Sequence, residues 1–358
     1  MRHSCRSVLE IRRWLEQVLP ATGHAQLLKF LPWALWGGIG SQSCHLNRIA
    51  VALAPLGPVR TVLQRLSRWL SRDSFLGPEL LPRIASAVLT AQAAGPLVLL
   101  LDRTEWQHAN YLCLAAPFRG RALPVAYLLL PGPGATPARQ LRKLFTAVAA
   151  VLPADRPVVI VGDREFGNLP AIRAIRSCGW HFCLRFRKHT WLYDESGNEW
   201  QAQGAFPPRG GRRRWSGLRV TLQRYGPLQV VSYWHRDEDE PWILVSDLPV
   251  GQLVPIYRQR MRIEELFSDL KERGFDLEAT RLRDPQRLTQ LMGLVCLAYL
   301  WLLLAAAVAV RRGWRRLVDP AWKKRALSYL QIALPIVHHF EPPRTEELAV
   351  AVARGCRL

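Results

Sequence analysis

Apolar and polar residues recur along the chain in patterns that divide it into five segments. Over 1–93, apolar residues recur at helical spacing, which predicts an N-terminal helical domain. Over 94–187 the pattern predicts three strands, a helix, a strand, a helix and a strand, an order typical of a mixed-sheet α/β domain. Residues 188–249 are polar and β-like, residues 250–345 return to helical spacing, and residues 346–358 remain as a tail. We therefore predict an α/β core that is interrupted by a β-rich segment and preceded by helices.

Two of the predicted strands are continuous apolar runs that end in a carboxylate. The runs are Leu97–Asp102 (LVLLLD) and Pro157–Asp163 (PVVIVGD), and runs of this kind are typical of buried strands. Parallel neighbouring strands would bring Asp102 and Asp163 to one edge of the sheet. An acidic side chain there usually serves a bound group, because a hydrophobic core does not need one. A turn or a helix cap is the alternative role for each aspartate.

A predicted helix over 255–272 carries a third acidic candidate. At about 100° per residue, four polar side chains fall within a stripe about 60° wide, namely Tyr257, Arg260, Glu264 and Lys271. The apolar residues cluster on another face, which we expect to be buried: Ile256, Ile263, Leu266, Phe267 and Leu270. Glu264 is therefore the carboxylate that would face a site, flanked by two cations and a phenol. A surface ion pair between Arg260 and Glu264 is the alternative, although it does not explain the tyrosine.

Three carboxylates beside arginine and lysine suit phosphodiester chemistry. Mg²⁺ prefers oxygen ligands, and two such ions can hold the attacking and leaving oxygens of an in-line displacement at phosphorus. Arg260 and Lys271 would bind phosphate oxygens and offset the developing charge. We therefore take Asp102, Asp163 and Glu264 as candidate catalytic and metal-ligating residues.

The chain is strongly basic, with 49 Lys and Arg against 28 Asp and Glu in 358 residues and a formal charge of +21. This charge favours a polyanionic partner, with nucleic acid first and an anionic membrane surface second. Fourteen tryptophans would suit stacking on bases. The N-terminal sequence MRHSCRSVLEIRRWLEQVLP is charged throughout and lacks the apolar core of a signal peptide, so we expect a cytoplasmic protein.

One segment favours a different location. Leu291–Val310 is a twenty-residue run without a charge, which is long enough for a membrane span, and arginines flank it on both sides. The alternative is a helix buried on all sides in a large α/β core. The first interpretation would make the chain a membrane-anchored basic protein, whereas the second leaves nucleic acid as the partner.

The spacing of the acidic and basic candidates is similar to that of a known enzyme family. The three carboxylates resemble the DDE triad of RNase H-like transposases. The spacing Tyr257-x2-Arg260-x3-Glu264-x6-Lys271 matches the YREK signature of insertion-sequence transposases that act by cut and paste. The resemblance implies that the tyrosine, arginine and lysine of this signature lie at the DNA.

A second motif carries part of the same resemblance. Asp163-Arg164-Glu165 resembles the start of the DREAD-like motif that this group places at its second aspartate, but Phe166-Gly167 departs from the rest of it. Only the aspartate is therefore carried over. The resemblance covers roughly residues 40–340 and implies an RNase H-like mixed-sheet core with a β-rich insertion, an N-terminal helical DNA-binding domain and an apolar helix in the core.

What the resemblance implies for function is a DNA transposase. It would bind the terminal inverted repeats of its element, cleave DNA with two Mg²⁺ ions or with Mn²⁺ in their place, and join the ends to target DNA. It would act as a homodimer in the DNA complex, with no membrane partner. Arg164 would contact phosphates, and Trp234 or Trp242 would stack on a flipped base, with cross-strand packing as the alternative for each tryptophan. The remaining alternatives are a transposase-derived DNA-binding protein without catalysis and an RNase H-like nuclease without end specificity.

Overall fold

The computed structural model of the chain describes residues 2–19, 25–72, 80–90, 95–106, 109–321, 325–340 and 342–355. The predicted boundary between residues 93 and 94, and the last three residues of the predicted tail, lie outside these ranges. Within them the chain is a mixed α/β structure, as the sequence predicts, and its strands form one ten-stranded sheet.

The N-terminal region is helical, which confirms the predicted periodicity. Its helices are α1 (Arg2–Val18), α2 (Ala25–Ser41), α3 (Leu46–Ala52), α4 (Val59–Leu70) and α5 (Leu80–Thr90). In α4 the apolar positions form one buried face, which leaves the arginines of this helix on the exposed side. Helix α2 is apolar around most of its circumference because it packs on a long C-terminal helix, so these helices share one core with the catalytic region.

The central sheet has the predicted order of elements. Its first strands are β1 (Leu97–Trp106), β2 (Ala109–Phe118), β3 (Arg121–Leu129), β4 (Val158–Gly162) and β5 (His181–Phe186). The crossovers are α6 (Ala138–Ala149) and α7 (Leu169–Arg176). Strands β1, β4 and β5 are parallel, β2 pairs antiparallel with β1, and β3 pairs antiparallel with β2. The first half of β1 and the whole of β4 are apolar because both faces of the sheet are covered there, with α6 and α7 on one of them.

The β-rich segment extends the same sheet. Its strands are β6 (Trp191–Tyr193), β7 (Glu199–Gln201), β8 (Arg212–Val220), β9 (Tyr225–Tyr233) and β10 (Trp242–Ser246). Strand β10 pairs antiparallel with β5, and the order continues through β9, β8, β6 and β7. The run RGGRRRW over Arg209–Trp215 has a sequence that predicts a basic loop, and this prediction was wrong in part, since Arg212–Arg214 already belong to β8. Pairing with β9 outweighs the local glycine and arginine signal there.

The C-terminal region is helical and covers the sheet. Its helices are α8 (Leu253–Tyr257), α9 (Met261–Ser268), α10 (Pro285–Arg311), α11 (Tyr329–His339) and α12 (Thr345–Gly355). Helix α10 is long and apolar enough to span a membrane, yet 94% of its most apolar window is buried inside the protein. It packs against α2, α11, α12 and β3. Burial in this core accounts for the apolar run over Leu291–Val310 without a membrane.

Candidate active site

Adjacent parallel strands bring the two aspartates to one edge of the sheet, as predicted. Strands β1 and β4 pair in register up to the residues that precede Asp102 and Asp163. Asp102 is 15% exposed, and its Oδ1 accepts a hydrogen bond of 2.8 Å from the Arg103 N–H. Asp163 Oδ1 accepts a hydrogen bond of 2.9 Å from the Glu165 N–H. Both carboxylates are thus fixed by the backbone that immediately follows them.

A buried guanidinium links Asp102 to Glu264. Arg260, only 12% exposed, donates from Nη1 to Asp102 Oδ2 at 2.9 Å and from Nη2 to Glu264 Oε1. Burial raises the pKa of Asp102 to about 7, against the lowering effect of Arg260 and the Arg103 N–H, and the charges of Asp163 and Glu264 add to the rise. The site therefore brings three acidic side chains together, two of which share one guanidinium, and the predicted i,i+4 pair between Arg260 and Glu264 is present.

The helical segment that carries this arginine is not one regular α-helix. A 3-10 turn at Arg258–Arg260 precedes α9, and a π-helical turn at Asp269–Arg273 follows it. Tyr257 is buried and packs edge-on against Trp242, with ring centroids 4.9 Å apart, and its ring centroid lies 6.0 Å from Arg260 Cζ. Tyr257 and Arg260 therefore stay on one side of the segment, since side chains three residues apart eclipse in a 3-10 turn, and Tyr257 is buried there. Burial raises the pKa of Tyr257 to about 12.

The lysine of the signature lies at the same edge of the sheet. Lys271 belongs to the π-helical turn, and its Nζ donates a hydrogen bond of 2.7 Å to the backbone oxygen of Glu105 in β1. The Glu105 carboxylate accepts hydrogen bonds from Arg103 at 2.8 Å and from Asn110 at 3.0 Å. The Lys271 ammonium thus lies at Glu105, three residues after Asp102 in β1. It is beside the three candidate carboxylates rather than between them.

The turn after the second aspartate is anchored by Glu165, whose role the sequence analysis missed. Its carboxylate accepts hydrogen bonds from the hydroxyl and the N–H of Thr136, and it pairs with Arg103 at 3.3 Å. At Gly167 a side chain is impossible without movement, because a Cβ would lie 2.2 Å from the Arg185 backbone oxygen. This close approach is a local reason for the departure from the transposase motif at that position.

A second set of charges, behind the site, was not predicted. Asp269 is fully buried, accepts a hydrogen bond of 2.9 Å from the Tyr299 hydroxyl and pairs with Arg121 Nε at 3.3 Å. Arg121 also pairs with Glu265, which Arg273 contacts at 3.1 Å. Burial raises the pKa of Asp269. These contacts tie the π-helical turn to β3 and α10, and the partners lie too far apart in the sequence for a local pattern to reveal them.

The remaining predicted DNA contacts lie on the β-rich side. Trp234 is half-buried after β9, and its indole N–H donates a hydrogen bond of 3.0 Å to the Glu238 backbone oxygen. Trp242 is buried between two tyrosine rings, so it has the packing role that was its alternative, and its ring is not open to a base. Arg164 is half exposed and pairs with Glu240 at 2.7 Å.

The carboxylates at the sheet edge are suitable ligands for a hard divalent cation, but two of them are paired with Arg260. Among the described residues, no group of three or more His, Cys, Asp or Glu side chains is arranged to hold a metal ion. At the sheet edge the reason is that Arg260 stands between Asp102 and Glu264. Together with Asp163, these carboxylates offer only oxygen ligands, which Mg²⁺ prefers. Arg260 must leave Glu264 before all three carboxylates could share cations.

A mixed sheet with aspartates at the ends of adjacent parallel strands, opposed by a glutamate on a helix, places the protein in the RNase H-like class of folds. The sequence profile of the family described as transposase DDE domain matches residues 115–301, more than half of the chain, and the chain belongs to this family. The match includes Asp163 and Glu264 and begins after Asp102. None of the curated proteins compared with the chain matches it. Membership confirms the predicted DDE transposase resemblance and makes DNA the implied partner.

Proposed function

We propose that this chain is a cut-and-paste transposase of the YREK group. It binds the terminal inverted repeats of its own element, cleaves the DNA at the element ends and joins those ends to target DNA. The observation that carries this proposal is the gathering of Asp102, Asp163 and Glu264 at one edge of an RNase H-like sheet, with Arg260 between Asp102 and Glu264.

Each side chain of the site has a role in this proposal. Asp102 and Asp163, held on rigid strands, would hold two Mg²⁺ ions, with Mn²⁺ as a substitute, and Glu264 would join them from the helix. Bound there, such ions would supply activation of the attacking oxygen and neutralisation of charge on the phosphate. Arg260 and Lys271 bind phosphate oxygens of the cleaved strand, because both cations already lie at the sheet edge.

The wider surface supports DNA as the substrate. Arg212–Arg214 form an exposed basic row on β8, and Arg164 lies next to the second aspartate. Trp234 is the better candidate for stacking on a flipped base, since Trp242 is buried. We further propose a homodimer in the DNA complex and a cytoplasmic protein without a membrane partner. Burial of α10 supports the last point, and recovery of the chain in the membrane fraction of lysed cells would contradict it.

The test uses purified protein and a plasmid that carries the DNA flanking the gene, incubated with Mg²⁺ or with EDTA. We expect cleavage at the element ends with Mg²⁺, none with EDTA, and none in Glu264→Gln. Asp102→Asn and Asp163→Asn should likewise abolish cleavage while DNA binding is retained. Glu272→Gln is the matched control, because Glu272 is exposed and its substitution removes the same charge from the same helical segment.

Three outcomes would contradict the proposal in different ways. Salt-sensitive DNA binding without cleavage would favour a transposase-derived DNA-binding protein. Cleavage at positions unrelated to the element ends would favour an RNase H-like nuclease. Full cleavage by Glu264→Gln would remove Glu264 from the site.

A further inference from the structure

A cavity of about 580 Å³ opens beside the carboxylate edge, on the side of the β-rich region. Its lining starts one residue beyond each aspartate, with Arg103 after Asp102 and Arg164 after Asp163. The end of β5 supplies further basic side chains, Arg185, Arg187, Lys188 and His189. The cavity is therefore a basic recess that is continuous with the candidate active site.

The positive charges of this recess differ in how they are neutralised. Arg103 is held by Glu105 at 2.8 Å and by Glu165 at 3.3 Å. Arg187 and Lys188 are exposed, and within the part of the chain that the structure describes neither has an ion pair. The recess thus has an excess of positive charge that points to an anionic ligand.

Two carboxylates line the recess, and the one that does not hold Arg103 is Glu240. Glu240 Oε2 lies 2.7 Å from Arg164 Nη1 and 3.5 Å from Arg185 Nη2. It ends the acidic run DEDE over 237–240, in the connection between β9 and β10 of a chain whose formal charge is +21. Arg164 and Glu240 are 51% and 52% exposed, so water screens their pair and it adds little to stability. This contact contributes little to folding and neutralises two arginines beside the active site, so another anion could replace Glu240 there.

We propose that the recess binds a backbone phosphate of the DNA strand next to the carboxylate edge, and that Glu240 occupies this phosphate site until DNA displaces it. A carboxylate and a phosphodiester are both oxyanions that accept forked hydrogen bonds from guanidinium groups, so one can replace the other on Arg164 and Arg185. The proposal rests on the proposed function, because it takes DNA as the substrate.

The first test compares Glu240→Gln with Asp239→Asn in binding to a fluorescently labelled duplex of the flanking DNA. Asp239 is fully exposed, and its ion pair with Arg209 is long, at 3.9 Å. Asp239→Asn therefore changes the net charge as much as Glu240→Gln does, but it leaves Glu240 in the recess. We expect Glu240→Gln to bind DNA about two- to fivefold more tightly than the wild type, the range that corresponds to an exposed ion pair. Equal affinities of the two variants would overturn the proposal.

The second test asks whether the gain passes through the arginines. Arg164→Gln should weaken DNA binding and reduce the slope of log affinity against log salt by about one. In that background Glu240→Gln should give at most a small gain, because its main partner is gone. A gain as large as in the wild-type background would overturn the proposal. Arg164 is half exposed, so its replacement leaves the fold intact, which a melting curve checks.

Failure of this proposal is distinguishable from failure of the proposed function. Wild-type protein that cleaves the element ends with Mg²⁺, but shows no difference between Glu240→Gln and Asp239→Asn, would retain the function and lose only the phosphate site. Wild-type protein that binds no DNA would reject both.

Discussion

Arg260 is the side chain whose replacement tests the site most directly. It contacts Asp102 at 2.9 Å and also binds Glu264, so in the chain without metal it serves as the counter-charge of two candidate ligands. Arg260→Gln keeps hydrogen-bonding capacity and removes the charge. We expect this variant to be destabilised without divalent cations and to be rescued by them.

The magnitude follows from burial. Removing one partner of a buried ion pair costs about 3–5 kcal/mol. Arg260 is 12% exposed, but Glu264 is 45% exposed and reaches water, and Asp102 can take up a proton because burial raises its pKa to about 7. These two effects reduce the expected loss in the free energy of unfolding to about 2–3 kcal/mol. A ligand at a hundred times its Kd restores about 2.7 kcal/mol, so Mg²⁺ can offset the loss.

The assay is urea unfolding with EDTA and with saturating Mg²⁺. Mg²⁺ should stabilise Arg260→Gln more than the wild type, in which the ion competes with the guanidinium. Arg258→Gln is the matched control, because Arg258 is exposed, contacts the Tyr233 hydroxyl at 2.7 Å and lies two residues away. Equal stabilisation of the wild type and Arg260→Gln by Mg²⁺ would refute the view that Arg260 stands in a cation site.

Three further predictions concern stability. Asp269→Ala breaks a buried ion pair and should cost about 3–5 kcal/mol, whereas Tyr299→Phe removes one hydrogen bond and should cost about 1–2 kcal/mol; equal losses in urea unfolding would contradict the assignment. Gly167→Ala places a Cβ 2.2 Å from a backbone oxygen and should cost about 1–3 kcal/mol, and an unchanged melting temperature would show that the turn can open. Burial alone would raise the pKa of Glu347, but the hydrogen bonds from Arg312 lower it below its ordinary value. Because a lowered folded-state pKa stabilises above the unfolded-state pKa, this contribution to the free energy of unfolding should be lost as pH falls below about 4.3, the ordinary pKa of glutamate. Glu347→Gln should lack this part of the acid dependence, and parallel pH profiles of wild type and variant would count against the pair.

The aspartates could be predicted because their signal is local. A continuous apolar run followed by a carboxylate predicts both the strand and the edge at which it ends, and β1 and β4 place Asp102 and Asp163 there. The apolar helix could be assigned to the core only through the family resemblance, since its length alone fitted both a membrane span and a buried core helix.

Other features could not be predicted because they depend on tertiary contacts. Tyr257 is buried because its ring packs edge-on against Trp242 of β10, a contact that the helical period of its own segment does not reveal. Residues 212–214 have a composition typical of a loop but are held in a strand by pairing with β9. The buried pairing of Asp269 has no local signal, because its partners Arg121 and Tyr299 come from β3 and α10.

The ion pairs at the site imply that metal and DNA bind cooperatively. Arg260 is either bound to Asp102 and Glu264 or available to a phosphate, and a cation on the carboxylates favours the second state. By linkage, a divalent cation that raises the affinity for DNA must gain affinity from DNA by the same factor. We expect Mg²⁺ to tighten binding of a duplex without element ends, and this effect to be absent in Arg260→Gln, whose carboxylates have no arginine to release. A Mg²⁺ effect of equal size in both proteins would show that coupling between metal and DNA does not pass through Arg260.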